Sequence, residues 1–236
     1  MSGPRTVEKG TFNHFVGVLG RPGTGKSTHA VELALEIART PAYVLAHDNG
    51  WRMPEELPNG KRATIFRHED AASALMTMRK HPAGIHAIAT TDAEPVIELA
   101  KEIAANSLRQ HGGKRGIPVL VAIDEVVGAG VCDPNRLSPS MKDLIAKRRH
   151  YNVGVIWTCQ SARLVHNQLL TLASELRCFT LSDARDLKRL DEAGVDADAI
   201  ARIRTLRKFQ FERLTIGEYV DEKSDEQEKD LTAGPK

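Results

Sequence analysis

The sequence predicts an α/β fold, with a mostly parallel central sheet flanked by helices in three layers. Three observations predict it. Short apolar runs alternate with segments of helical periodicity, the pattern of strands joined by helical crossovers. The run over 118–126 is the most apolar in the chain, as a central strand buried on both faces requires. The chain has 236 residues, 41% of them hydrophobic, enough for one large domain with a sizeable core.

The elements follow in order. An apolar run at 15–19 predicts the first strand and leads into a Gly-rich turn. A helix is expected over 26–39, with Ala30, Leu33, Ala34 and Ile37 at helical spacing. A strand is expected at 43–46. The segment 49–61, which holds Pro54, Pro58 and two glycines, reads as loop. A short strand at 63–66, a helix at 71–79 and a strand at 85–89 come next. Val96, Leu99, Ala100, Ile103 and Ala104 form the stripe of a long helix over 92–110, with Asp92 as its N-cap. After the basic loop 111–116 come the apolar strand, a loop at 128–139 and a helix at 140–150. A buried strand at 153–159, a polar helix and a strand at 176–181 follow. Two short helices, 183–193 and 196–206, are separated by Gly194, and an alternating run at 209–214 closes the sheet edge.

Residues 1–220 are expected to form the folded domain. From Asp221 the composition changes: 221–230 holds six acids, two lysines and no apolar residue. Such a stretch cannot offset its own ordering entropy, so 221–236 is expected to be a disordered acidic tail.

The chemistry begins at Gly20-Arg21-Pro22-Gly23-Thr24-Gly25-Lys26-Ser27, which fits GxxxxGK[ST] between a strand and an amphipathic helix. Backbone N–H groups must point inward at a polyphosphate, and side chains would block that approach, so glycines are required. Lys26 supplies a point charge for the β- and γ-phosphates, and Ser27 Oγ can ligate Mg²⁺. The positive end of the following helix adds a favourable field that reaches Thr28. These residues are the candidate ATP and Mg²⁺ site.

The run Val119-Leu120-Val121-Ala122-Ile123 ends in Asp124-Glu125. Asp124 at that strand end can sit beside Ser27 and hold Mg²⁺ through water. Glu125 can take a proton from the water attacking the γ-phosphate. The strand 153–159 is apolar apart from Gly154 and Thr158 and leads to Gln160. Glutamine there can orient the attacking water; read in isolation, it is an ordinary polar strand end.

Gly20 to Ser27, then Asp124-Glu125, then Gln160 after a helix ending Lys147-Arg148-Arg149-His150 form an ordered set. This set resembles the HerA/FtsK superfamily of P-loop ATPases. Within it, the chain is most similar to the compact DNA-packaging ATPases of icosahedral viruses and phages, and is also similar to the zonula-occludens-toxin-like ATPases of filamentous phages. The resemblance covers about residues 16–211. It implies a three-layer P-loop NTPase domain of RecA-like (ASCE) type that hydrolyses ATP and translocates double-stranded DNA. It also implies a homo-oligomeric ring of five or six subunits, a capsid, portal or vertex partner, and a location in the virion or host cytoplasm. The family completes each site with a neighbour's arginine, which implicates Arg148 and Arg149, with Arg177 as a second candidate. The alternative for 147–149 is a helix C-terminus carrying cations for dipole reasons.

Composition bounds the alternatives. With Lys+Arg 33 and Asp+Glu 31, a DNA surface must be a local patch. The loop 111–116 and Lys61-Arg62 are candidate DNA contacts or solvated turns. Arg202, Arg204, Arg207 and Lys208 read as a solvated helix face, with a subunit or DNA contact as the alternative. No apolar run approaches membrane-spanning length, and the first twelve residues lack the apolar core of a secretory signal. The filamentous-phage relatives carry a downstream anchor; none is visible here, which favours the packaging branch. Three dispersed cysteines exclude a disulfide scaffold and a zinc ribbon. Two functions outside the motor class compete: an ATP-dependent switch in virion assembly or secretion, and a nucleotide kinase. Adjacent Asp124-Glu125 with Gln160 suit water activation, which a kinase must exclude.

Overall fold

The computed structural model describes residues 14–37, 43–48, 55–56, 60, 62–110 and 117–216. The expected tail, the boundary near residue 220, Lys61 and the basic loop 111–116 lie outside these residues.

The chain runs β1 (Phe15–Leu19), α1 (Lys26–Ile37), β2 (Tyr43–Asp48), β3 (Ile65–His68), α2 (Ala71–Lys80), β4 (Ile85–Ala89), α3 (Glu94–Gln110) and β5 (Val119–Ile123). It continues through α4 (Pro139–Tyr151), β6 (Val153–Cys159), a 3₁₀ turn, α5 (Asn167–Thr171), β7 (Glu175–Phe179), α6 (Ala184–Glu192), α7 (Ala197–Thr205) and β8 (Phe211–Thr215). The eight strands form one sheet ordered β3-β4-β2-β5-β6-β1-β7-β8. Every pairing is parallel except β7 with β8. The expected α/β class and its closing edge strand are both present.

Strand alternation divides the core in two. Val16, Val18, Leu120, Ala122 and Ile156 face α1, which contributes Ala30, Val31, Leu33 and Ala34. Phe15, Leu19, Val121, Ile123, Val155 and Trp157 face the other way, where α3 and α4 bury Val96, Ala100, Met141 and Leu144 against them. Trp157 is fully buried and lies across Gly17, where a Cβ would stand 2.3 Å from its ring. Its burial removes about 200 Å² from water, worth about 5 kcal/mol by area. Glycine at position 17 is what admits the indole.

Local chemistry sets the helix ends. Asp70, Ser138, Asp183 and Asp196 cap α2, α4, α6 and α7 with side-chain oxygens. Asp92 accepts from Glu94 N–H at 3.0 Å, so it acts at the expected end of α3, although the helix itself starts two residues later. Asn152 closes α4 in the left-handed conformation (φ 60°) and turns the chain directly into β6. The polar helix expected before β7 is instead the 3₁₀ turn Ala162–Leu164 followed by the single-turn α5. Among the described residues no helix is long and apolar enough to cross a membrane.

One boundary matters for function. The expected strand 118–126 stops at Ile123, so Asp124 and Glu125 lie on the loop beyond it. Val126 is apolar because it is buried beneath that loop, where its N–H donates to Thr158 O at 3.0 Å.

Candidate functional site

The phosphate loop joins β1 to α1 at the C-terminal edge of the sheet. Gly25 has φ 99°, a left-handed conformation that costs other residues strain and that aims the loop's amides inward. α1 begins at Lys26, so the first N–H groups of the helix have no partners within it and face the loop. Arg21 O draws the loop together. It accepts from Thr24 Oγ1 at 2.8 Å, from Thr24 N–H at 3.4 Å and from Lys26 Nζ at 3.3 Å. Lys26 is 8% exposed. Burial lowers its pKa, while Glu125 and Asp124 nearby oppose that shift. The ammonium therefore has its two acidic neighbours at hand but no ion pair among the described residues, and it can turn toward a phosphate. Arg21, Pro22 and Gly23 are exposed on the rim, while Ser27 and Thr28 are half-buried at the helix start.

Parallel register carries the other half of the site to this loop. β6 lies between β1 and β5, with Leu19 paired to Cys159 and Ile123 paired to Trp157. Gly20 thus falls level with Gln160, and Gly20 N–H donates to Cys159 O at 3.2 Å. Asp124 falls level with Thr158, whose hydroxyl donates to Asp124 Oδ1 at 2.7 Å. The same hydroxyl accepts from Glu125 N–H at 2.9 Å. Glu125 sits at φ 52°, unusual for a residue with a side chain. That turn carries its carboxylate past the strand end, where Oε1 accepts from Gln160 N–H at 3.2 Å. Asp124 Oδ1 is also 3.4 Å from Ser27 Oγ, which donates to it.

The structure therefore brings Lys26, Ser27, Asp124, Glu125 and Gln160 to one edge. On a strand, adjacent acids would point to opposite faces. They diverge because the chain has left the strand and Glu125 has turned left-handed. Two oxygens from Ser27 and Asp124 standing 3.4 Å apart, one of them a carboxylate's, fit a hard cation that keeps its remaining positions for water and phosphate. The glycine-turned loop with its buried lysine fits a polyphosphate.

Sequence reasoning missed Thr158. Its signal was a hydroxyl inside an otherwise apolar strand, two residues before Gln160. Next to it, Ser161 Oγ donates to Asp186, which is 6% exposed and also accepts from Arg163 N–H at 3.0 Å. This bond fixes the chain just after Gln160.

The arginines lie elsewhere. Arg148 is 5% exposed, with its guanidinium 4.9 Å from the centroid of the Phe15 ring. Arg149 is exposed beside it. Both stand at the N-terminal edge of the sheet, a strand length from the phosphate loop. A strand of seven residues spans about 20 Å. Arg177 is engaged inside its own subunit by Glu175 and, at 2.9 Å, by His29 Nε2.

No family model and no curated protein matches the sequence. Solved structures do match. The genome packaging NTPase B204 from Sulfolobus turreted icosahedral virus 2, in complex with ATP-gammaS, is similar at TM-score 0.62 and 14% identity, over 87% of this chain and 93% of that one. The chain has the P-loop NTPase fold. B204 from Sulfolobus Turreted Icosahedral Virus, described as a DNA-packaging ATPase, is similar at TM-score 0.56 and 15% identity, over 85% of this chain and 91% of that one. VirB4 of Thermoanaerobacter pseudethanolicus follows at TM-score 0.54 and 11% identity, over 92% of each chain. The architecture thus agrees with the P-loop NTPase fold that the resemblance implied.

Proposed function

We propose that the chain hydrolyses ATP and, as a ring of five or six subunits, drives double-stranded DNA into a preformed viral capsid. One observation carries the hydrolytic part. The bonded series Ser27–Asp124–Thr158–Glu125–Gln160 sets a cation-binding pair and a second carboxylate side by side at the phosphate loop. Lys26 and the loop amides hold the β- and γ-phosphates. Ser27 and Asp124 would hold a magnesium ion, which would supply charge neutralisation to the phosphate oxygens. Glu125 takes the proton of the attacking water, and Gln160 orients that water. The packaging role is supported by near full-length likeness in fold to B204.

A catalytic arginine in trans fits the placement of Arg149 better than that of Arg148 or Arg177. Arg149 is exposed at the far edge of its own subunit, whereas Arg148 is 5% exposed and the Arg177 side chain 11% exposed. A head-to-tail contact would carry one subunit's far edge to its neighbour's phosphate loop, and such heterologous contacts close into rings.

The deciding experiment is the ATPase rate with and without duplex DNA, for the wild type and for Glu125→Gln. The wild type should hydrolyse ATP and be stimulated several-fold by duplex. Glu125→Gln should keep ATP affinity and lose about 100-fold or more in kcat, the scale of general-base removal. Hydrolysis indifferent to DNA but responsive to a protein partner would favour the assembly switch. Full activity in Glu125→Gln would remove the glutamate from the mechanism.

A further inference from the structure

The sheet order gives the phosphate loop two unlike sides. On the β5–β6 side stand Asp124, Glu125 and Gln160. On the β7–β8 side stands an aromatic group: Phe179, His29 and Phe211, with ring centroids between 4.3 and 5.7 Å apart. A triphosphate whose reacting end faces the acids must send its nucleoside toward these aromatics.

Phe209 occupies that side in an unusual state. It is 64% exposed and has φ 67°. It holds the third position of a tight turn in which Gln210 N–H donates to Arg207 O at 3.0 Å, and Arg207 N–H donates to Gln210 Oε1 at 3.0 Å. Glycine or asparagine normally fills a positive-φ turn position, and a bulky aromatic there is strained. The turn is also anchored: Thr180 Oγ1, one residue past β7, donates to Leu206 O at 2.7 Å. The Phe209 ring is held against the phosphate loop so closely that a Cβ on Gly25 would lie 3.0 Å from its Cδ1. The Lys208 ammonium stands 4.9 Å from the ring centroid. An exposed ring in a strained turn, pinned to the rim of a phosphate cradle, serves no packing purpose.

We propose that Phe209 is a stacking platform for the base of the bound nucleotide, on the side of the loop away from Glu125. The inference rests on the nucleotide reading of the loop and adds its base-side contact. Lys208 lies over the ring and leaves a second face to the purine. Strain in the turn is the expected companion of a ring positioned for a ligand.

The test compares calorimetric affinities for ATP and for inorganic tripolyphosphate, which lacks a base, in the wild type, Phe209→Gly and Phe209→Trp. The wild type should prefer ATP. Phe209→Gly should lose about ten-fold or more of its ATP affinity, the scale of base–aromatic stacking. Its tripolyphosphate affinity should be unchanged, and its melting temperature equal or higher because the turn is relieved. Phe209→Trp should retain the preference for ATP. Unchanged ATP affinity in Phe209→Gly, or an equal loss for both ligands, would overturn the platform. Failure of the wild type to bind either ligand would instead remove the nucleotide site itself.

Discussion

Thr158 is the residue on which the acid pair turns. Its hydroxyl donates to Asp124 and accepts from Glu125 N–H, so one side chain fixes the carboxylate proposed to hold the metal and the turn that aims the proposed general base. It is 1% exposed, and water cannot replace it. Thr158→Val keeps the shape and removes both bonds. Stability should fall by about 1–3 kcal/mol, the penalty for stranding buried polar groups. ATP turnover should fall at least ten-fold with a smaller change in KM, and Thr158→Ser should restore most of it. Steady-state kinetics beside urea unfolding separate the two effects. Equal turnover in Thr158→Val would show that the acids hold their positions unaided. Lys26, Ser27 and the two acids were legible in the sequence because their spacing is local. Thr158 was not, since its partners lie more than 30 residues away and only the β5–β6 register brings them together. The left-handed turn at Glu125 was illegible for a related reason, because tertiary bonds impose it against local preference.

Strands and helices read well where the apolar period was long, as for α3, β4 and β6, and less well where burial had another cause. Val126 extended the apparent β5 because it is buried under a loop. At the sheet edge, β3 starts at Ile65, two residues after the expected strand, and half of its residues are only partly buried. Two predictions belong to this scale. Gly17→Ala sets a methyl 2.3 Å from Trp157 and 2.6 Å from Leu176, both packed side chains in the middle of the sheet. Overpacking should lower stability by about 1–3 kcal/mol, read as a lower denaturant midpoint at unchanged slope. The seam between α1, β7 and β8 should be pH-sensitive. Burial, and then the Arg177 charge, push His29 down to about 4, with Glu175 opposing. An unfolded histidine titrates near 6.5 and the folded one lower, so the unfolded state gains the proton first as pH falls. The contribution is complete above about pH 6.5 and is lost toward pH 4, amounting to about 2 kcal/mol between pH 7 and pH 5. Burial also lowers His47, His68 and His86, and they act in the same direction. His29→Gln keeps an acceptor for Arg177 and cannot titrate. Urea unfolding should therefore show a flatter fall between pH 7 and pH 5 in His29→Gln than in the wild type. Identical slopes would place the sensitivity in the other histidines.

For the whole molecule, strand order does what no motif could announce. Placing β6 between β1 and β5 sets Gln160 and Thr158 between the loop and the acids, and placing β7 and β8 on the opposite side leaves an aromatic flank. Composition and periodicity indicated a parallel sheet, but the order depends on long-range pairing that a linear reading does not contain. The same geometry separates Arg149 from its own loop by the length of the sheet, so an arginine there can act only on a neighbour. That has a consequence for mixtures. Lys26→Ala subunits lack a working loop but carry the arginine; Arg149→Ala subunits carry the loop and lack the arginine. Each variant alone should be nearly inactive. Mixed in equal amounts, a site works when an Arg149→Ala subunit follows a Lys26→Ala neighbour, so activity should return to roughly a quarter of wild type in a randomly mixed head-to-tail ring. In such a ring activity should also climb steeply with protein concentration, since an isolated subunit would have no complete site. If the mixture is no more active than its parts while the Arg149→Ala protein alone retains wild-type turnover, the trans arginine is not Arg149. The role would then fall to Arg148, which would have to leave Phe15, or to Arg177, which would have to leave Glu175.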